Sequence, residues 1–312
     1  MNVSPLRIIV AASGEYALPS LRAVSRSGHR IVQVFSQPDR PAGRGRVLTP
    51  TPVASFAAEC NLLLVRTADI NAETLPPADM MFVIAFGQKI APEVVSHPRL
   101  GSINLHASLL PRYRGAAPIN WAILRGETVT GNTVIRLADR MDAGAILGQA
   151  ELRIGELETA GELHDRLADA GADLVIDVLE KVADSTAVEI AQDEGAATLA
   201  PKLARECGRI DWSRRAWEVA SQVRALYPWP CCRVRVVDEG GLDRGHLGLV
   251  RARMGVPVAG EPGVIGADGL VAAGDGIGVD LVEVQPEGKR PMSLGAYRNG
   301  HPWGHGMRLE SL

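Results

Sequence analysis

The chain has 312 residues, long enough for two domains and a sizeable core. Apolar residues make up 46% and charged residues 22%, which excludes a disordered or fibrous chain and fits a soluble globular protein. The net charge of −3 does not announce a nucleic-acid partner, so any RNA must be gripped by local patches. Residues 207–312 carry 13 Lys and Arg against 12 Asp and Glu, so the C-terminal third is no basic arm. Four cysteines, at 60, 207, 231 and 232, form neither a zinc spacing nor a disulfide framework. A reducing cytoplasm suits them. No run reaches the length of a membrane span, and Ile8–Ala12 is too short for a signal-peptide core.

Leu6–Ala12 is a continuous apolar run of the kind buried in parallel sheets. Ser13-Gly14 turns it, 16–27 has helical spacing, and Ile31–Phe35 is the second strand. This β-α-β opening predicts a Rossmann-like, doubly wound, mostly parallel α/β sheet. A dinucleotide site with Asp39 on the ribose is weakly supported, because the first turn holds Gly14 alone where three glycines are needed. Residues 37–52 hold four prolines, two glycines and three arginines, Arg40, Arg44 and Arg46. That composition predicts an irregular loop, and a rigid basic loop suits a phosphate backbone. A helix over 53–60 and a strand over 62–65 follow. Residues 79–86 form another buried strand, ending in Gly87-Gln88-Lys89-Ile90.

The stretch from Gly101 to Gly115 organises the chain. Ser102–Leu105 reads as a strand, and side chains in a strand alternate between faces, so Asn104 and His106 point the same way. The strand opens into a Pro/Gly loop with Arg112 and Arg114, the place where open α/β sheets put their ligand crevice. There an amide can donate to a developing oxyanion and an imidazole can move a proton. A helix over 117–124 and a strand over 130–137 lead to Met141-Asp142-Ala143-Gly144, where Asp142 alone would be a turn former. From Thr159 a long amphipathic helix carries Leu163, Leu167, Leu174, Val178 and Val182. Residues 191–208 lose periodicity and read as a linker. A helix with Ser213 as N-cap runs to Val223. Alternating Cys231–Val237 and short strands near 247–252, 263–265, 269–272 and 278–284 predict a small OB-like β-barrel. Arg233, Arg235, Arg251, Arg253, Lys289 and Arg290 are its candidate RNA contacts.

Residues 104–119, N-L-H-A-S-L-L-P-R-Y-R-G-A-A-P-I, resemble the signature of the folate-dependent formyltransferases, and within them the branch acting on methionyl-tRNA. Gln37–Gly45, Arg209–Trp212 with Tyr227–Pro230, and Gln285–Lys289 agree. The resemblance implies formyl transfer from 10-formyltetrahydrofolate to the amine of methionyl initiator tRNA, in a cytoplasmic monomer with no metal. It implies a catalytic set of Asn104, His106 and Asp142, the Asp taken from the family's M-D-x-G turn. It places Ser108, Leu109, Leu110 and Pro111 along the folate, and Phe86, Gln88 and Ile90 beside the pterin. Arg112 and Arg114 would meet phosphate or the folate tail, and Arg40, Arg44 and Arg46 would contact tRNA. The implied organisation is a catalytic domain over 1–190, a linker over 191–208 and an OB-like tRNA-binding domain over 209–312. Two positions depart from the family pattern: Ser13-Gly14-Glu15 replaces a G-T-P turn, and Ala145 replaces an acid. The same triad could serve another amine (a sugar nucleotide or glycinamide ribonucleotide), water, or a non-enzymatic relative.

Overall fold

The first apolar run becomes β1 (Arg7–Ala12), an inner strand of a seven-stranded sheet. The structure, a computed structural model, describes residues 4–43 and 45–312. In chain order β1 is followed by α1 (Leu18–Arg26), β2 (Arg30–Ser36), β3 (Arg40–Ala42), β4 (Val47–Thr49), α2 (Pro52–Glu59), β5 (Leu64–Arg66), β6 (Met80–Ile84), α3 (Pro92–Val95), β7 (Ser102–His106), β8 (Arg114–Gly115), α4 (Pro118–Leu124), β9 (Val129–Arg136), β10 (Ile146–Arg153) and α5 (Ala160–Ala183). The sheet order is β10-β9-β7-β6-β1-β2-β5. β1 pairs in parallel with β2 and β6, β2 with β5, and β6 with β7, whereas β7 pairs antiparallel with β9. This is the Rossmann-like, mostly parallel sheet that the apolar runs predict. Strands buried on both faces must be apolar throughout, and β6 is buried at every position.

Strand order reverses between β1 and β6, so their carboxyl ends flank the crevice where such sheets bind ligands. Ile9, Ala11, Phe35, Ile70, Met81, Val83, Phe86 and Val94 form a core on this sheet. The buried Tyr16 hydroxyl donates to Asn132 Oδ1, and Asn132 Nδ2 donates to the Leu167 carbonyl at 2.7 Å. Burial pushes the Tyr16 phenol far above its ordinary range.

The basic loop differs from the expectation of irregular chain. β3 and β4 pair antiparallel, Pro41 opposite Leu48, as a separate two-stranded hairpin. Pro41 is tolerated because both strands of a lone hairpin are edges. Arg44 lies outside the described residues.

The chain forms two compact units. The first runs to Gly115 and adds Gly131–Leu152 and His164–Leu199. The second joins Ala116–Thr130, Arg153–Leu163 and Ala200–Leu312. It contains α4, α6 (Ala216–Ala225), β12 (Cys232–Val237), β13 (Asp243–Pro257), β14 (Val271–Ala272), β15 (Ile277–Pro286), β16 (Met292–Ser293), α7 (Leu294–Arg298) and β17 (Arg308–Ser311); β11 (Leu199–Ala200) comes before α6 in the chain. Its sheet runs β14-β15-β13-β12-β17, with β16 on β15. The bridges Val264↔Arg308 and Ile265↔Val271 join the two edges, so the sheet nearly closes into an OB-like barrel. The last closing strand, β17, is four residues long and was not expected from the sequence.

The start of α6 also departs from expectation. Ser213 does not cap it, because its hydroxyl donates to Asp211 Oδ1 at 2.6 Å. The helix begins two residues later, where Glu218 Oε2 accepts the Arg215 N–H and Asp275 accepts that of Ala216. Among the described residues, no helix is long and apolar enough to cross a membrane.

Candidate active site

Asn104 and His106 end β7 on one face of the sheet. Asn104 is half-buried between Val83 of β6 and Ile135 of β9, and His106, 6% exposed, faces Thr133. The His106 Nε2–H donates to the Tyr113 carbonyl at 2.9 Å. A carbonyl can only accept, so in the neutral ring the proton sits on Nε2 and the Nδ1 lone pair is free. Nδ1 lies 3.7 Å from Asp142 Oδ2. That oxygen accepts the Gly115 N–H at 2.8 Å. The structure thus brings together the three residues expected to act, and the backbone of Tyr113-Arg114-Gly115 touches two of them.

Asp142 adopts a left-handed conformation, φ 55°, which Asp tolerates better than most residues. Gly144 lets the turn lie directly on β9, because a Cβ there would collide with the Arg136 carbonyl oxygen. The turn's geometry is therefore written in two residues, Asp142 and Gly144.

The Ser108–Pro111 loop is held from the neighbouring strands. The Thr133 hydroxyl donates to the Ser108 carbonyl at 2.6 Å and accepts the Leu110 N–H at 3.1 Å. Gln149 Nε2 donates to the Leu110 carbonyl at 2.8 Å and to Thr133 Oγ1 at 3.0 Å. The buried Ser108 hydroxyl donates to the Arg112 carbonyl at 2.7 Å, and Leu110 is buried while Leu109 and Pro111 are half-exposed. Neither Thr133 nor Gln149 was visible as a site-building residue in the sequence, since each is one polar residue on a strand.

Arg114 corrects an expectation. It is 5% exposed, and its guanidinium is taken up by Gln192 Oε1 and the Glu194 carboxylate at 2.7–3.1 Å. No face of it is left for phosphate or folate. Arg112 is exposed and lies over the Tyr113 ring at 5.3 Å.

The loop after β6 turns Phe86, Gln88 and Ile90 inward and leaves Lys89 exposed. Phe86 enters the core, Ile90 packs against it, and Gln88 spans the Thr67 carbonyl and the Ile70 N–H. What this loop offers a ligand is backbone. A cleft of about 520 Å³ opens beside it, lined by Ser13, Gly14, Gln37, Arg40, Phe86 and Gly87 among others. Gln37 organises that cleft: its Nε2 donates to the Phe86 carbonyl at 2.7 Å and its Oε1 accepts Arg40 Nη2 at 2.6 Å. Ser13, from the departing first turn, accepts the Gln37 N–H at 3.0 Å. Arg40 and Arg46 are exposed on the hairpin.

In the second unit, half of the expected barrel cations are already paired. Arg235 meets Glu310, Arg251 meets Glu162 and Glu283, and Arg253 meets Asp280. Arg233, Lys289 and Arg290 are exposed. Among the described residues there is no cluster able to hold a metal ion.

Comparison with known proteins gives two matching family models. Residues 6–179 match the formyl transferase model and residues 202–302 match the formyl transferase C-terminal domain. A methionyl-tRNA formyltransferase of Methylococcus capsulatus is 40% identical over 307 residues, which is 95% of this chain and 97% of that one. One from Moorella thermoacetica is 38% identical over 95% of this chain and 97% of that one. Among solved structures, an N-formyltransferase of Helicobacter canadensis in complex with folinic acid and dTDP-3-aminofucose has a TM-score of 0.65 at 16% identity, covering 88% of this chain and 98% of that one.

Proposed function

The chain belongs to the formyl transferase family, and from that premise we propose that it transfers the formyl group of 10-formyltetrahydrofolate to the amino group of methionyl initiator tRNA. The observation that carries the reading is the convergence of Asn104, His106 and Asp142 at the carboxyl end of β7, in a chain aligned nearly end to end with methionyl-tRNA formyltransferases.

The folate supplies a formyl carbon bound to N10, which is the leaving nitrogen. Asn104 donates its amide hydrogens to the oxyanion that forms when the amine attacks that carbon. His106 takes the amine proton at Nδ1, the nitrogen left free by the Tyr113 hydrogen bond, and returns it to the departing nitrogen. The Asp142 carboxylate, 3.7 Å from Nδ1, balances the imidazolium while it exists. The C–N bond to the amino acid forms first, and the bond to N10 breaks when the tetrahedral oxyanion collapses back to the carbonyl, with no covalent enzyme intermediate. The Ser108–Pro111 loop and the backbone of Phe86–Ile90 hold the folate, and Arg40, Arg44 and Arg46 hold the acceptor arm. The first compact unit is the catalytic part and the second, with its barrel, the tRNA-binding part of a cytoplasmic monomer.

The test is formyl transfer from 10-formyltetrahydrofolate to methionyl initiator tRNA. Wild-type product, lost about a hundredfold or more in Asn104→Ala, His106→Ala and Asp142→Ala, is the expected result. Wild-type silence on the tRNA, with turnover on a sugar-nucleotide amine, would overturn it.

A further inference from the structure

Gln192 lies in the expected linker, 50 residues beyond Asp142, yet its side chain is built into the Asp142 turn. Nε2 donates to the Asp142 carbonyl and to the Gly144 carbonyl, both at 2.8 Å. Oε1 accepts Arg114 Nε at 3.1 Å and Nη2 at 2.7 Å. The carboxamide is therefore saturated: two donors and both acceptor lone pairs are used. Its chain neighbours bracket the same turn. Ile190 exchanges two backbone hydrogen bonds with Ile146, just past the turn, and Glu194 takes Arg114 on one side and Arg140 on the other.

These contacts close a ring. Arg114 orients Gln192, Gln192 grips the Asp142 carbonyl, and the Gly115 N–H beside Arg114 fixes the Asp142 carboxylate. The residue held at both ends, Asp142, has a left-handed backbone. A left-handed, non-glycine residue keeps its conformation only where its surroundings over-determine it. Thr198 extends the grip, accepting the Tyr113 N–H on its hydroxyl and the Arg114 N–H on its carbonyl, both at 2.8 Å.

We propose that Gln192, locked by Arg114 and Glu194, is a positioning residue for the transfer reaction, holding the Asp142 carboxylate at the distance from His106 that formyl transfer needs. The proposal rests on the reading of Asp142 as catalytic. Gln192 touches no substrate; it acts through the Asp142 backbone. Gln192→Met keeps the volume and removes all four hydrogen bonds. Gln192→Glu keeps the acceptors for Arg114 and removes only the donor to the two carbonyls.

The experiment is steady-state formylation of methionyl initiator tRNA by wild type, Gln192→Met, Gln192→Glu, Asp142→Ala and the double variant Gln192→Met/Asp142→Ala. A loss of about ten- to a hundredfold in kcat in both Gln192 variants, with KM for folate and tRNA within about twofold of wild type, is expected, because a displaced group costs rate rather than binding. In the Asp142→Ala background the Gln192→Met change should add nothing, since residues acting through one another are not additive. A fall in Asp142→Ala with unchanged kcat in both Gln192 variants overturns the proposal. So does an additive loss in the double variant, which is the mark of a general structural role. If Asp142→Ala keeps the wild-type rate, the catalytic reading of Asp142 fails and the proposal fails with it. Should Gln192→Met not fold, Gln192→Glu carries the test alone, paired with Gln192→Glu/Asp142→Ala.

Discussion

The imidazole of His106 is tied through Nε2 to the carbonyl of Tyr113, 2.9 Å away, and this single bond decides which nitrogen faces Asp142. The tautomer is thus fixed by backbone, seven residues downstream, rather than by the carboxylate. Replacing His106 by Gln keeps a donor for the Tyr113 carbonyl but offers no base. His106→Gln is expected to fold, with a melting temperature near that of wild type, and to lose about a hundredfold or more in kcat. Single-turnover formylation beside a thermal melt checks both halves.

Asn104 works by a different means, and its loss should look different. Asn104→Ala removes the amide donor to the oxyanion and should cost about a hundred- to a thousandfold in kcat. Because no proton passes through the amide, the pH–rate profile should keep its wild-type shape. A profile that changes shape in this variant would assign Asn104 to proton transfer instead.

Gly144 is predicted to resist substitution for reasons of space alone. Gly144→Ala would push a methyl group into the Arg136 carbonyl and displace the Asp142 turn from β9. Overpacking against backbone typically costs about 1–3 kcal/mol. Chemical denaturation should show that loss, and kcat should fall further than stability does because Asp142 moves with the turn.

Arg40 is exposed on the hairpin and gives one of its donors to Gln37. Arg40→Ala should raise KM for tRNA, leave KM for folate unchanged, and lower the salt slope of tRNA binding by about one unit. Binding titrations at several salt concentrations measure this directly. An unchanged slope would remove Arg40 from the RNA contacts.

An acid-sensitive tie is built into the second unit. The side-chain hydrogen bond from Arg251 pulls the Glu162 carboxyl from 4.5 down to about 2, against a smaller opposing effect of burial. A carboxylate depressed in the folded state stabilises above its unfolded value, and that contribution fades as pH falls from about 4.5 toward 2. Wild type should therefore lose denaturation midpoint across this window more steeply than Glu162→Gln. Parallel curves would show the pair to be energetically silent.

What the sequence made legible follows from the range of the interactions. β1 and β6 announce themselves because strands buried on both faces must be apolar, and Asn104 and His106 share a face of β7 because the side-chain period is two. Asp142 was found only by resemblance, since an Asp in a tight turn is ordinary. The β3–β4 hairpin was hidden by Pro41, which reads as a strand breaker unless the strand is an edge. Ser213 looked like a cap, but Asp211, two residues away, captures its hydroxyl first. Gln192 and Thr198 left no signal, because their partners lie 50 and 85 residues away and the stretch around them has no periodicity.

The tie between residues 192–198 and the Tyr113–Gly115 loop bears on how such an enzyme can be cut and recombined. The formyl transferase model ends its match at residue 179. A chimera joined there would inherit His106 and Asp142 from one parent and Gln192, Glu194 and Thr198 from the other. Crossovers that preserve function should fall after Thr198, so that everything touching the Asp142 turn descends from a single parent.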